Sequence, residues 1–385
     1  MLDVTIYAQD VRLSRMPPTQ QAAPILDFAW YPSATCRDAA SFCFVASVRE
    51  CPVKLLDASD GRLRASYKIV DHRERQIAPH SLAFNPSASK LYCGFEDAIE
   101  VFDLQYPGEG TRLHTTPNKR SRDGLKGKLT PDTMTFATDL SSGVYAAGSL
   151  NPSPAMSSNV ALFSEATGET PLMFVGDDRD NGFGVRASAM QVMFNPARPY
   201  LLYASFRRHD AIYCWDVRGD VGVPVQKLVQ PTNESHMQTG RGCDSTNQKL
   251  RFDIDLGGRF LSVGDHVGTI SFFDLNSYEE GEYRGDQPTI ISTPVMTYNA
   301  HTDAIGSVGF HPLKSLLLSV SGSRHFIEGL ADVSEGEDSA EDGEEEEDDA
   351  EQFSLAQDQK NTRVSKSLVC PRPITLDNTV KLWQF

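Results

Sequence analysis

Short runs of alternating apolar and polar residues recur along the chain. Each closes on an aromatic or aliphatic residue followed by Asp or another polar residue. They read VTIY (Val4–Tyr7), VKLLD (Val53–Asp57), IEVFD (Ile99–Asp103), VALFS (Val160–Ser164), IYCWD (Ile212–Asp216), ISFFD (Ile270–Asp274) and VKLWQ (Val380–Gln384). Period-two alternation over four to six residues is the pattern of a half-buried strand. The closures return at intervals of roughly 50 residues, with about twice that before the last, and such a period marks the blades of a propeller.

A second repeated unit supplies the other strands. LAFNPSASKLYCGF (Leu82–Phe95), VMFNPARPYLLYASF (Val192–Phe206), FDIDLGGRFLSVG (Phe252–Gly264) and VGFHPLKSLLLSV (Val308–Val320) each read strand, turn, strand. Asn-Pro, Gly-Gly or His-Pro makes the bend. FAWYPSA and ATDLSSGVYAAGS are looser versions. No segment predicts a long helix. The expected fold is an all-β propeller with seven blades counted, the first incomplete: Val4–Tyr7 reads as a third strand without its first two. The strand that would complete the last blade is also not visible, so the ring closes unusually or the sequence is shortened at its N-terminus.

The last repeat adds side chains that fit a WD-repeat blade. His301 opens AHTDAIGSVGF, Ser319 or Ser321 ends the following strand, and Asp377 lies six residues before Trp383. In WD-repeat blades a His, a Ser or Thr, an Asp and a Trp hydrogen-bond in series across three strands. His301, Ser319, Asp377 and Trp383 are therefore assigned a structural role, although a His-Asp-Ser trio also invites a catalytic-triad reading.

Charge divides the chain. The net charge is −16, yet residues 325–359 hold fifteen acids and no Lys or Arg, which leaves the remainder near neutral. Like charges at that density repel and offer little to bury. Three parts follow: a propeller over 1–327, an acidic disordered insertion within the last blade over 328–358, dispensable for folding, and the end of that blade over 359–385. Ser334 and Ser339 precede acids, as phosphorylation sites of acidophilic kinases do.

Several classes are excluded or disfavoured. No apolar run approaches the roughly 18 residues of a membrane span, and MLDVTIYAQD has no signal-peptide pattern. Seven scattered cysteines without CxxC read as reduced thiols of an intracellular protein, with no metal site. No phosphate loop, HExxH or GxSxG is present, and NGFGVR (Asn181–Arg186) lacks the rest of a dinucleotide fingerprint. The expectation is no enzyme and no cofactor.

Basic residues gather at the loops. Lys68, His72, Arg73 and Arg75 form one set, Arg207, Arg208 and His209 a second, Arg218 a third, and Lys249 with Arg251 a fourth. Tyr67, Phe206 and Tyr213 lie beside them as aromatics suited to stacking on unpaired bases. Lys68, Arg73, Arg75, Arg207, Arg208, Arg218 and Arg251 are the candidate RNA contacts. Arg218 has an equal structural reading, pairing with an acid of a neighbouring blade. Lys119, Arg120 and Arg122 fit a short nuclear-import pattern. A near-neutral body argues for a small local site on an RNA loop rather than a long electrostatic track.

The stretch Ala46–Leu82, ASVRECPVKLLDASDGRLRASYKIVDHRERQIAPHSL, resembles the WD-repeat telomerase Cajal body protein family, as do HDAIYCWDVR (His209–Arg218) and NQKLRFDIDLGGRFLSVG (Asn247–Gly264). The resemblance runs over about residues 25–324 and the C-terminal strand. It implies a non-enzymatic scaffold that binds small nuclear or small Cajal body RNA, telomerase RNA among them. Such a scaffold directs or assembles nuclear ribonucleoproteins, and a related yeast protein acts in pre-mRNA splicing. The implied partners are those RNAs, ribonucleoprotein core proteins, and telomerase or spliceosome components. The implied location is the nucleus, in Cajal bodies where these exist. The alternative is a protein-only WD adaptor in splicing, chromatin or ubiquitin-ligase complexes.

Overall fold

A computed structural model describes residues 7–9, 21–116, 124–150, 159–176, 187–231, 248–277, 289–323, 325–326, 373–374 and 376–385. Contacts divide the chain into two bodies: Met1–Ser323 with Asp377–Phe385, and Arg324–Leu376. The candidate import residues Lys119, Arg120 and Arg122, the serines Ser334 and Ser339, and the acidic insertion all lie outside the described residues.

The first body is almost entirely strand. After β1 (Tyr7–Gln9), sheet one holds β2 (Ile25–Trp30), β3 (Cys43–Val48), β4 (Val53–Asp57) and β5 (Leu63–Tyr67). Sheet two holds β6 (Ser81–Phe84), β7 (Lys90–Gly94), β8 (Ala98–Asp103) and β9 (Thr111–His114). Sheet three holds β10 (Leu129–Phe136), β11 (Val144–Ser149), β12 (Val160–Ser164) and β13 (Met173–Val175). Sheet four is β14 (Ala189–Phe194), β15 (Leu201–Phe206), β16 (Ala211–Asp216) and β17 (Gln226–Val229). In sheet five, β18 (Phe252–Ile254), β19 (Phe260–Gly264) and β20 (Thr269–Asp274) precede β21 (Ile290–Ser292), which instead adds to sheet four in parallel beside β17. β22 (Met296–Asn299) then completes sheet five. Sheet six combines β23 (Ile305–Phe310) and β24 (Leu316–Ser321) with strands from far along the chain. In the second body β25 (His325–Phe326) and β26 (Pro373–Ile374) form a two-stranded ribbon. β27 (Val380–Gln384) then pairs with β24, and β1 pairs with β27.

This order corrects the expected blade count. Among the described residues there are six propeller sheets, not seven. Tyr7 pairs with Gln384, Ala8 with Trp383 and Gln9 with Leu382, so the N-terminal strand is the outer strand of the last sheet. The closing strand that seemed missing is therefore present, and the closure ending at Tyr7 was misassigned to a separate blade. Third and outer strands share the same alternation, so the pattern alone did not distinguish them.

Successive sheets share hydrophobic cores. One joins sheets one and two through Val45, Val53, Leu82 and Phe102. Others join two and three through Tyr92, Ile99 and Tyr145, and three and four through Val160, Leu202 and Trp215. Tyr203, Leu228, Phe252 and Phe273 join four and five, and Ile270, Ile305, Leu317 and Trp383 join five and six. Polar side chains of the inner strands tie neighbours together beside these cores. Asp27 Oδ2 accepts the Leu82 N–H at 2.8 Å, and Asp253 Oδ2 accepts the Phe310 N–H at 2.7 Å. Gln191 both donates to the Phe252 carbonyl (2.8 Å) and accepts its N–H (2.9 Å). Each satisfies backbone groups that would otherwise be buried without a partner. No helix among the described residues is long and apolar enough to cross a membrane.

Candidate nucleic-acid interface

The structure brings the four WD residues together. His301 Nε2 lies 2.7 Å from Ser319 Oγ, and Nδ1 lies 3.2 Å from Asp377 Oδ2. Trp383 Nε1 donates to Ser319 Oγ at 2.8 Å. Ser319, rather than Ser321, is the hydroxyl in the series; Ser321 Oγ donates to the carbonyls of Asp303 and Ala304. Burial lowers the His301 pKa, against the raising effect of Asp377, and keeps the ring neutral. Asp377 accepts from Thr379 and Thr302 as well, and these bonds hold its carboxyl well below the ordinary range. Ser319 is fully buried and hydrogen-bonded to an indole, so no substrate reaches it as a nucleophile.

A second polar cluster joins sheets that are not sequence neighbours. Asp132, on β10 of sheet three, accepts from Lys249 Nζ (2.5 Å) and pairs with Arg251 (2.6 Å), both from the segment leading into β18. Lys249 Nζ also donates to the Pro131 carbonyl at 2.5 Å. Asp132 sits at φ 59°, within an irregularity of β10 that shifts its pairing with β11. Asp27 of sheet one feels these charges. Its carboxyl is raised to about 7 by burial and by Asp132, against the lowering effect of the Leu82 N–H, Arg251 and Lys249. Burial lowers the Lys249 pKa despite its acid partner. Arg251, a candidate RNA contact, is thus engaged with Asp132. The sequence reading missed Asp27 and Asp132 because isolated acids in strands carry no local signal of what faces them.

The remaining candidates divide. Arg75 pairs with Asp71 of its own turn at 3.0 Å, and the Arg73 backbone N–H donates to the same carboxylate at 2.7 Å. Lys68 and Arg73 are exposed. Arg218 forks onto Asp216 of its own sheet, at 2.7 Å from Nη2, and its guanidinium lies 3.5 Å from the centre of the Tyr200 ring.

Arg207 and Arg208 converge with His209 on a groove between sheets four and five. The tight turn from β15 to β16 places the three in succession, with Arg208 at φ 62°. Gln230, Gln248 and His266 complete the polar lining, beside Met190 and Leu250. His209 Nδ1 lies 3.3 Å from the Tyr213 hydroxyl, and burial with the Lys227 charge lowers its pKa, so the ring is neutral at pH 7. Of the aromatics expected to stack on bases, Tyr67 and Tyr213 are buried in the cores, and Phe206, also largely buried, lines the groove. The groove therefore offers guanidinium groups, amides and imidazole edges, a set suited to phosphate and to the hydrogen-bonding edges of unpaired bases. Among the described residues no group of three or more His, Cys, Asp or Glu side chains is arranged to hold a metal ion.

No family model matches the sequence. Curated relatives do. The chain is 29% identical to Telomerase Cajal body protein 1 of Rattus norvegicus over 332 residues, 86% of this chain and 54% of that protein. It is 24% identical to the Telomerase Cajal body protein 1 homolog of Drosophila melanogaster over 80% of this chain and 48% of that protein. The Guanine nucleotide-binding protein negative regulator 1 of Schizosaccharomyces pombe is 24% identical over 71% of this chain and 63% of its own length. The chain spans about half the length of the telomerase Cajal body proteins it matches. Six sheets with WD closures, together with these matches, make the chain a WD-repeat β-propeller similar over most of its length to the telomerase Cajal body protein family.

Proposed function

We propose that this chain is a non-enzymatic propeller scaffold that binds a small structured RNA of the small nuclear or small Cajal body type and helps assemble nuclear ribonucleoproteins, including those of telomerase. The observation that carries the reading is the groove of Arg207, Arg208 and His209 between sheets four and five. The names of the relatives supply the class of assembly. Arg207 and Arg208 engage phosphates of an RNA loop, while Gln230, Gln248 and His266 meet base edges. Arg75, Arg218 and Arg251, each paired with an acid, hold structure; Lys68 and Arg73 are peripheral contacts.

Crosslinking of the tagged protein in cells, followed by sequencing of bound RNA, tests the class. Small nuclear or small Cajal body RNAs enrich over ribosomal background if the reading holds. In vitro, Arg207→Ala/Arg208→Ala weakens binding of an enriched RNA by about tenfold or more, and the slope of log affinity against log salt falls by roughly 1.4, as two lost phosphate contacts to single-stranded RNA require. A protein-only adaptor is the second reading, favoured by the S. pombe relative, a Guanine nucleotide-binding protein negative regulator. It predicts ribosomal background alone and unchanged protein partners in that variant.

A further inference from the structure

The groove that carries Arg207 and Arg208 has one wall that belongs to no sheet. Residues 248–250 run into β18 without pairing to a strand among the described residues. Their side chains alternate between two environments. Gln248 and Leu250 line the groove, whereas Lys249 and the next residue, Arg251, reach Asp132 of sheet three at 2.5 and 2.6 Å. Further bonds fix the ends of this strap. Gln248 Nε2 donates to the Gly322 carbonyl at 3.0 Å, and the Arg251 N–H donates to the Gly306 carbonyl of sheet six at 3.1 Å. Asp132 is itself set at φ 59°, within the irregularity of β10, and a bulge of this kind re-aims one side chain out of the regular pleat. One carboxylate thus meets both cations of the strap.

We propose that Asp132 is a positioning residue for the groove: by holding Lys249 and Arg251 it fixes the strap on which Gln248 and Leu250 stand. The inference rests on the groove being an RNA site, although Asp132 is not among the residues that line it. Contact residues bind well only when a second set of bonds locks them in place. Residues 248–250 have no strand ladder to do this, so the ion pairs carry the task. The sign of the effect separates this role from plain electrostatics. Asp132→Asn removes a negative charge, which by charge alone would tighten RNA binding. Loss of positioning weakens it.

The probe is the RNA loop most enriched by the crosslinking in cells, made as a fluorescein-labelled oligoribonucleotide. Asp132→Asn is expected to bind it several-fold more weakly, with the slope of log affinity against log salt unchanged, because no phosphate contact is lost. Without RNA, hydrogen exchange over residues 248–252 speeds up in the same variant. Asp132→Asn/Lys249→Met, which strands one cation fewer, shows the same faster exchange and guards against a fold lost to that charge. Gly258→Ala controls for stability alone. It loosens the tie between Gly258 and Asn195 past the other end of β18, and both readouts are expected to stay at parent values. Equal or tighter binding by Asp132→Asn overturns the proposal, as does unchanged exchange over 248–252 or an equal loss of binding in Gly258→Ala. A parent protein that captures no RNA above ribosomal background overturns the RNA reading instead. Exchange then decides the strap by itself: faster exchange in Asp132→Asn upholds it, and unchanged exchange overturns it.

Discussion

Asp27 shows how one buried carboxyl sets a pH response. Its folded pKa, about 7, stands above the ordinary 3.8. Between those values the folded state holds a proton that the unfolded chain has released, so stability falls as pH rises through the window. A shift of about three units corresponds to at most ~4 kcal/mol. Asp27→Asn keeps an oxygen to accept the Leu82 N–H and removes the titration. The variant is expected to match or trail the parent at pH 4 and to exceed it at pH 8 in urea unfolding; parallel profiles would refute the assignment. His301 contributes with the opposite sign. Its folded pKa is lowered, so its contribution is present above the ordinary histidine value and is lost as pH falls below it. That arm is common to both proteins and cancels in the comparison. At this scale the sequence was legible where a spacing carried a meaning, as for His301, Asp377 and Trp383. It was silent on Asp27, whose pKa is raised by burial between sheets and by Asp132, which is distant in sequence.

The turns decide how elements meet. Asn195 Oδ1 accepts the N–H groups of Ala197 and Arg198, forming the Asn-Pro bend between β14 and β15. Its Nδ2 donates across to the Gly258 carbonyl at 2.9 Å, linking that bend to the Gly-Gly turn of sheet five. Gly258 has φ 65°, and a Cβ there would lie 2.1 Å from Asn195 Oδ1 and 2.9 Å from the Ala197 Cβ. Gly258→Ala therefore combines a strained backbone with a clash at a sheet-to-sheet tie. The expected loss is roughly 1–3 kcal/mol, read by urea unfolding; a loss below ~0.5 kcal/mol would show that the two turns move independently. Strand, turn, strand was readable here from Asn-Pro and Gly-Gly. The contact between the two turns was not, since it depends on how adjacent sheets splay. The same limit explains β1: alternation identifies a strand, while its partner is fixed by which edge is open.

Across the whole propeller, Asp132 couples sheets three and five through two cations. These groups are a quarter to a third exposed, so the interaction is screened relative to a fully buried pair. Asp132→Asn leaves Lys249 and Arg251 facing each other without a counter-charge. The expected cost is about 1–3 kcal/mol, and it should shrink when Lys249→Met is added, because the stranded charge is then removed. A double variant no more stable than Asp132→Asn alone would place the effect in the β10 backbone instead. The repeated sheets and their succession followed from the 50-residue period, while their number did not, since β1 was counted as a separate blade. The candidate binding surface followed only in part. Arg207 and Arg208 line a groove, Arg75 and Arg218 pair with acids two to four residues away, and Arg251 is engaged by Asp132, which lies near it only after folding.

Sheet six gathers its strands from widely separated stretches of chain: β23 and β24 meet β27, which lies beyond residues 324–376, and β1 from near residue 7. Apart from β21, which joins sheet four from within the stretch that builds sheet five, the strands of sheets one to five come from nearly contiguous sequence and can form in order as the chain leaves the ribosome, since synthesis exposes N-terminal segments first. The core around Ile305, Leu317 and Trp383 cannot assemble until β27 has been made and has cleared the exit tunnel. Its long sequence separations also make its closure slow. While residues 324–379 are being made, the nascent chain holds one apolar sheet face uncovered, and that interval is when a chaperone is most needed.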